Sequence, residues 1–168
     1  LLNDFDGHGG NFQTIKAFQL MWLTLSRPNE SVQAEWAEFD LEKALWTIPA
    51  RRMKARREHI IPLPTQAVEL LKAMHPITGH TKFVFPNRDD RQRPMADAAL
   101  RQALKKLGWA TKYSPHGTRT TGSTRLNEMG YRPDAIEAQL AHAEPNSVRR
   151  TYNHATYLDE RRVMMQDW

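Results

Sequence analysis

The sequence predicts an α+β domain, mainly helical, with a small antiparallel sheet. Three observations point there. Most of the chain places apolar residues at helical spacing between cap and stop signals. One segment, from Leu41 to Leu63, sets two β-branched and aromatic stretches on either side of a basic turn. The 168 residues, 40% of them apolar, are enough for one sizeable core.

Element by element, "TIKAFQLMWLTL" (Thr14 to Leu25) reads as a mostly apolar, buried helix that Pro28 interrupts. "NESVQAEWAEFD" suggests a second short helix capped by Asn29 or Ser31. "LEKALWTIPA" and "EHIIPL" read as a strand and its return, joined by "RRMKARR". In "TQAVELLKAM", Thr65 stands at a cap position and Ala67, Val68, Leu70, Leu71 and Met74 form the apolar face of an amphipathic helix. "KFVFP" is short and strand-like, "NRDDRQRP" is a charged loop, and "MADAALRQALKKLGW" is a helix that stops near Gly108. Ser114 and Pro115 look like the N-cap and first residue of a helix ending at Gly130. "RPDAIEAQLAH", "NSVRRTYN" and "YLDERRVMMQDW" add three more helices. With no internal repeat and no linker, residues 1–168 are expected to form one domain.

Charge is polarised along the chain. Residues 1–50 hold three basic against seven acidic side chains, net −4, and residues 51–168 hold 21 against 12, net +9, which together give the formal +5. Such a balance fits either a solvated surface or a polyanion footprint. No apolar run approaches the roughly 18 residues of a membrane span, and the first residues are acidic where a signal peptide is basic. A soluble, cytoplasmic protein is expected. The chain has no Cys, which excludes disulfides, thiolate catalysis and cysteine-based metal centres. "DFDGHGG" (Asp4 to Gly10) resembles the opening of a calcium loop, but the twelfth position is Ile15 where a bidentate Glu is needed. His75 and His80 lack a second ligand pair at zinc spacing. No metal site is expected.

Four stretches supply groups suited to a phosphate ester. Arg27 follows the first helix; read alone, it is a helix-end cation. "RRMKARR" carries Arg51, Arg52, Lys54, Arg56 and Arg57, either as a solvated turn or as a hairpin tip entering a nucleic-acid groove. His116 and Arg119 lie three apart at a helix start, where backbone N–H groups already favour an anion. That spacing means little by itself, since seven His and 16 Arg in 168 residues give roughly two-thirds of an occurrence by chance. "LAHAEPNSVRRTYN" adds His142, Arg149, Arg150 and Tyr152. Tyr113, Tyr131 and Tyr157 are the other tyrosines.

The order Arg, hairpin Lys, His-x-x-Arg, His, Tyr resembles the catalytic domain of the tyrosine recombinases, or phage integrase family. "LEKALWTIPARRMKARREHIIPL" and "LNEMGYRPDAIEAQLAHAEPNSVRRTYNHATYLDERRVMMQDW" are similar to the prophage-type integrases of bacteria. The resemblance runs from about Thr14 to Trp168. It implies that Arg27 and Arg119 clamp the scissile phosphate, and that Lys54 protonates the departing 5′-oxygen. It implies further that His116 assists proton transfer, that His142 supports the phosphate and that Tyr152 is the nucleophile, with Tyr157 the runner-up. Arg51, Arg52, Arg56, Arg57, Arg149 and Arg150 become DNA contacts. The family acts without a cofactor on double-stranded attachment sites, as a homotetramer on DNA, and its isolated domain can be a monomer. It usually carries an N-terminal DNA-clamping domain outside this stretch, so the chain is expected to be a catalytic fragment that binds DNA weakly alone. The chain departs from the pattern at Leu25 and Ser26, where Gly and an apolar residue commonly precede the first arginine. It departs again at Thr118, where an apolar residue is usual.

The chemistry is sound on its own account. Two guanidiniums offer planar, bidentate donors that both neutralise and orient a phosphodiester. A lysine ammonium suits proton donation when desolvated. A tyrosine of ordinary pKa near 10 is only about 0.1% phenolate at pH 7, a deficit of about 4 kcal/mol that a base or cationic pocket must offset. Passing the phosphate to tyrosine conserves an ester bond, so the strand can be rejoined without ATP. The absence of clustered carboxylates argues against a two-metal nuclease. A non-catalytic DNA-binding module and a type IB topoisomerase are the alternative readings. Met164, Met165 and Trp168 form an apolar stripe that is either core or a docking face.

Overall fold

The structure is a computed structural model that describes residues 11–142 and 156–168. Asn11 caps α1 (Phe12–Thr24), its side chain accepting from the Gln13 amide at 2.9 Å. The helix ends at Leu25, a left-handed residue (φ 54°), before Pro28 is reached. Pro28 instead opens α2 (Pro28–Val32), whose N-cap is Arg27 rather than Asn29 or Ser31. The expected longer helix is not formed. A 3₁₀ turn (Trp36–Glu38) follows, and Phe39 and Asp40 make β1, a strand absent from the sequence reading.

The sheet therefore has three strands, in the order β1, β2 (Leu45–Ile48), β3 (His59–Pro62), all antiparallel. Phe39 pairs with Trp46 and Trp46 with Ile61, and the Phe39 and Trp46 rings stack at 5.0 Å. α3 (Thr65–Thr78) buries Ala67, Leu70, Leu71 and Met74; its cap is Pro64, and Thr65 is already helical. "KFVFP" makes no strand. Phe83 forms one isolated bridge to Glu35, and Val84 donates its amide to Ala34. Pro86 removes the next donor, so the ladder cannot extend. α4 (Ala99–Lys106) runs out before Gly108, which is left-handed at φ 75°. α5 (Gly117–Glu128) starts later than expected, because Ser114 accepts from the Gly117 amide in a turn that precedes the helix, leaving His116 as N-cap. α6 (Pro133–Gln139) and α7 (Leu158–Asp167) complete the described elements. None of the described helices is long and apolar enough to cross a membrane.

Two apolar clusters result. One gathers α1, α3, α4 and the sheet around Phe18, Met21, Trp46, Ile61, Leu71 and Phe85. The second gathers Leu25, Leu126, Ile136, Leu140, Met164 and Met165. The C-terminal stripe belongs to the core: Met164 and Met165 are buried, and Trp168 stacks on Trp22 at 5.7 Å while donating its indole N–H to the Trp22 carbonyl at 2.8 Å.

Buried polar groups tie the layers together. Gln139 donates to the Thr24 carbonyl at 2.8 Å and accepts from Arg161 Nε at 2.9 Å. Arg161 Nη2 also reaches the Ile60 carbonyl at 2.6 Å. His59 contributes its Nε2–H to the Gln139 carbonyl at 3.0 Å. Burial, with the nearby Arg161 charge, pushes the His59 imidazole down to about 4, so it is neutral at physiological pH.

Gly122, which costs about 1 kcal/mol against Ala in a helix, is explained by Leu25. A Cβ at Gly122 would lie 2.5 Å from Leu25 Cδ2, and the Leu25 side chain is wholly buried. Gly122→Ala is expected to destabilise the protein by about 1 to 3 kcal/mol despite its better helix propensity, through overpacking. Urea denaturation checks this; an unchanged or raised midpoint would show that the α1–α5 contact yields.

Candidate active site

The head of α2, the β2–β3 connection and the N-cap of α5 form a cleft of about 430 Å³. Arg27, Glu30, Arg51, Arg52, Lys54, Arg56 and His116 line it. Both arginines expected at the phosphate, Arg27 of this lining and Arg119, are held by backbone carbonyls. Arg119 is 8% exposed; its Nη1 donates to the Leu25 carbonyl at 2.7 Å and its Nη2 to the Leu140 carbonyl. Arg27 Nη2 donates to the next carbonyl, Ala141, at 3.2 Å, while its Nη1 pairs with Glu30 at 2.8 Å. Adjacent carbonyls of one turn thus take one guanidinium each.

Two left-handed residues shape that arrangement. Leu25 (φ 54°) and Ala141 (φ 48°) turn the chain where α1 and α6 end. An L-residue there costs about 1 to 2 kcal/mol, which is why glycine is common at such positions. The departure at Leu25 therefore exchanges glycine's freedom for a side chain that fills the space over Gly122. The other two departures are also satisfied. Ser26 Oγ hydrogen-bonds Thr24 Oγ1 at 2.9 Å and Ser31 Oγ, and Thr118 Oγ1 bonds the Tyr113 hydroxyl at 2.7 Å.

The electrostatics favour an incoming anion. Among the described residues, Arg119 hydrogen-bonds two carbonyls and the His142 imidazole and pairs with no carboxylate. Burial first, and then the like charge of Arg27, pull its guanidinium down to about 10, still fully protonated at neutral pH. Glu30 balances only part of this. Its carboxylate accepts from both the amide and the guanidinium of Arg27 and so fixes that side chain at the head of α2. Lys54 and His116 are exposed at the rim. His142 Nε2 lies 3.1 Å from Arg119 Nη2, and its Nδ1 lies 2.7 Å from Glu137.

Five expected site residues, Arg27, Lys54, His116, Arg119 and His142, come together in or beside this cleft. Tyr152, Arg149 and Arg150 lie outside the described residues, as does the Asp4–Gly10 stretch. Arg51, Arg56 and Arg57 are exposed on the hairpin, Arg51 lying 3.6 Å from Glu35. Arg52 differs from the rest: its guanidinium is turned inward, onto Glu38 and the Glu30 carbonyl, the latter at 2.9 Å, so it braces the hairpin instead of facing a groove. Glu30 and the carbonyls of Leu25, Leu140 and Ala141 were missed in the sequence. Glu30 had a signal, since a Glu two residues after a helix-opening Pro is a capping-box position. The carbonyls had none. Among the described residues no group of three or more His, Cys, Asp or Glu is placed to hold a metal ion.

Residues 7–158 match the family model described as the phage integrase family. The chain belongs to that family. Among curated integrases it is 45% identical over 150 residues to prophage integrase IntA of Escherichia coli K12, covering 88% of this chain and 36% of IntA. It is 40% identical over 160 residues to the integrase of Shigella phage Sf6, covering 95% of this chain and 42% of that protein. The chain thus spans less than half the length of these integrases. In fold it is similar to the integrase from mycobacterium phage Brujita, with a TM-score of 0.73 at 17% identity over 98% of this chain and 54% of that one. It is also similar to the XerH site-specific recombinase bound to difH substrate, with a TM-score of 0.67 at 19% identity over 95% of this chain and 49% of XerH. The small sheet with helices around it is the family's catalytic-domain fold, as the sequence led one to expect.

Proposed function

We propose that the chain is the catalytic part of a site-specific DNA recombinase that cuts and rejoins strands through a 3′-phosphotyrosine. Arg27 and Arg119 hold the non-bridging oxygens of the scissile phosphate. Lys54 gives a proton to the departing 5′-oxygen, His116 assists proton transfer at the nucleophile, and His142 supports the phosphate. Tyr152 attacks phosphorus, and its phosphate ester keeps the bond needed for rejoining. Arg51, Arg56 and Arg57, with Arg149 and Arg150, contact the DNA backbone. The substrate is double-stranded attachment-site DNA, recombined in a homotetramer in a bacterial cytoplasm, at the nucleoid when bound.

The observation that carries this reading is the pair of guanidiniums fixed by adjacent carbonyls, one of them lining a cationic cleft, with no carboxylate of the described residues on Arg119. Such a preorganised pair stabilises charge that develops on a transferring phosphoryl group. The relatives' names as integrases and the XerH–difH complex point to the same substrate. The test is a trap: the full protein is incubated with a nicked attachment-site duplex, so that the leaving fragment diffuses away. A denaturant-resistant protein–DNA adduct is expected. Salt-sensitive binding with no adduct would instead leave a DNA-binding module.

A further inference from the structure

Arg119 and His142 meet in a way that fixes where the imidazole proton sits. A guanidinium nitrogen only donates, so at 3.1 Å from Arg119 Nη2 the Nε2 of His142 must accept. The proton of the neutral ring is then on Nδ1, and the Nδ1–H points at Glu137 Oε2, 2.7 Å away. Glu137 lies on α6 five residues before His142, and the His142 amide closes the turn by donating to the Glu137 carbonyl at 3.1 Å. The carboxylate side chain is about half exposed and pairs with nothing else among the described residues.

We infer that Glu137 is a positioning residue that selects the Nδ1–H form of His142 and thereby keeps Nε2 as an acceptor aimed at the phosphate-clamping Arg119. Without it, water supplies either partner to Nδ1, and the Nε2–H form, which sets N–H against N–H at Arg119, becomes populated. The ring then swings away and Arg119 loses one of its three anchors. This inference rests on the proposed phosphate role of Arg119 for its effect on rate, but its effect on the histidine tautomer is independent of any reaction.

The test combines two readouts on the full protein. In ¹⁵N-edited NMR of the DNA-free protein, His142 should show the Nδ1–H pattern in wild type and a mixture with Nε2–H in Glu137→Ala. In single-turnover cleavage of the nicked duplex, Glu137→Ala should be slower by about tenfold, the low end of what losing the hydrogen-bond partner of a metal-bound histidine costs. The same substitution in a His142→Ala background should have no further effect. An unchanged tautomer in Glu137→Ala, or an equal loss of rate in both backgrounds, would overturn the inference. Failure of the wild type to form any adduct counts against the recombinase reading instead, and the NMR result then judges Glu137 alone.

Discussion

Arg119→Lys is expected to slow strand cleavage by about 10²- to 10³-fold, the range for removing one preorganised donor from a charge-stabilising site. Lysine keeps the charge, so electrostatics alone would predict little change. What it loses is the planar fork. Arg119 uses three N–H groups on the Leu25 carbonyl, the Leu140 carbonyl and His142, and a guanidinium has five in all. The remaining donors are what a phosphate oxygen can take. An ammonium has three donors on one atom and cannot bridge two carbonyls while presenting a bidentate face. Single-turnover assays on the nicked duplex give the rate, and a thermal melt of the same protein shows whether the carbonyls left without donors also cost stability. A loss of less than tenfold in a folded variant would mean that Arg119 is a structural brace.

Tyr152→Phe is expected to abolish the covalent adduct, whereas Tyr157→Phe should leave it. Tyr152 and Tyr157 lie ten and fifteen residues after His142, so sequence distance alone separates them weakly. The surroundings of Tyr157 separate them better. Its ring lies 4.9 Å from the Arg132 guanidinium and packs against the second apolar cluster, and its backbone is left-handed (φ 48°) as the N-cap of α7. A residue so engaged closes the head of a helix. Denaturing gels of the trapped reaction decide between them, and an adduct surviving in Tyr152→Phe but lost in Tyr157→Phe would reverse the assignment.

The side chains that gather in or beside the cleft were legible in the sequence because they are of distinctive type in a fixed order. Arg27, Lys54, His116, Arg119 and His142 could be named before any geometry was known. Their supports were not legible, since backbone carbonyls look alike in every sequence, and the left-handed turns at Leu25 and Ala141 carry no glycine to announce them. Arg52 was read with its neighbours as a DNA contact because a run of like charges hides which member is neutralised by a residue fourteen positions away. Among the elements, long apolar helices such as α1 and α3 were plain, within a turn of their ends. "KFVFP" looked like a strand by composition, yet a strand needs a partner, and Pro86 and its surroundings allow only a bridge.

The neighbouring carbonyls of Leu140 and Ala141 make the two cations one device with a single mount. Neither grip can be retuned by reshaping that turn without disturbing the other, so drift there is constrained twice over. Along the sequence Tyr152, the proposed nucleophile, follows Ala141 of this mount by eleven residues.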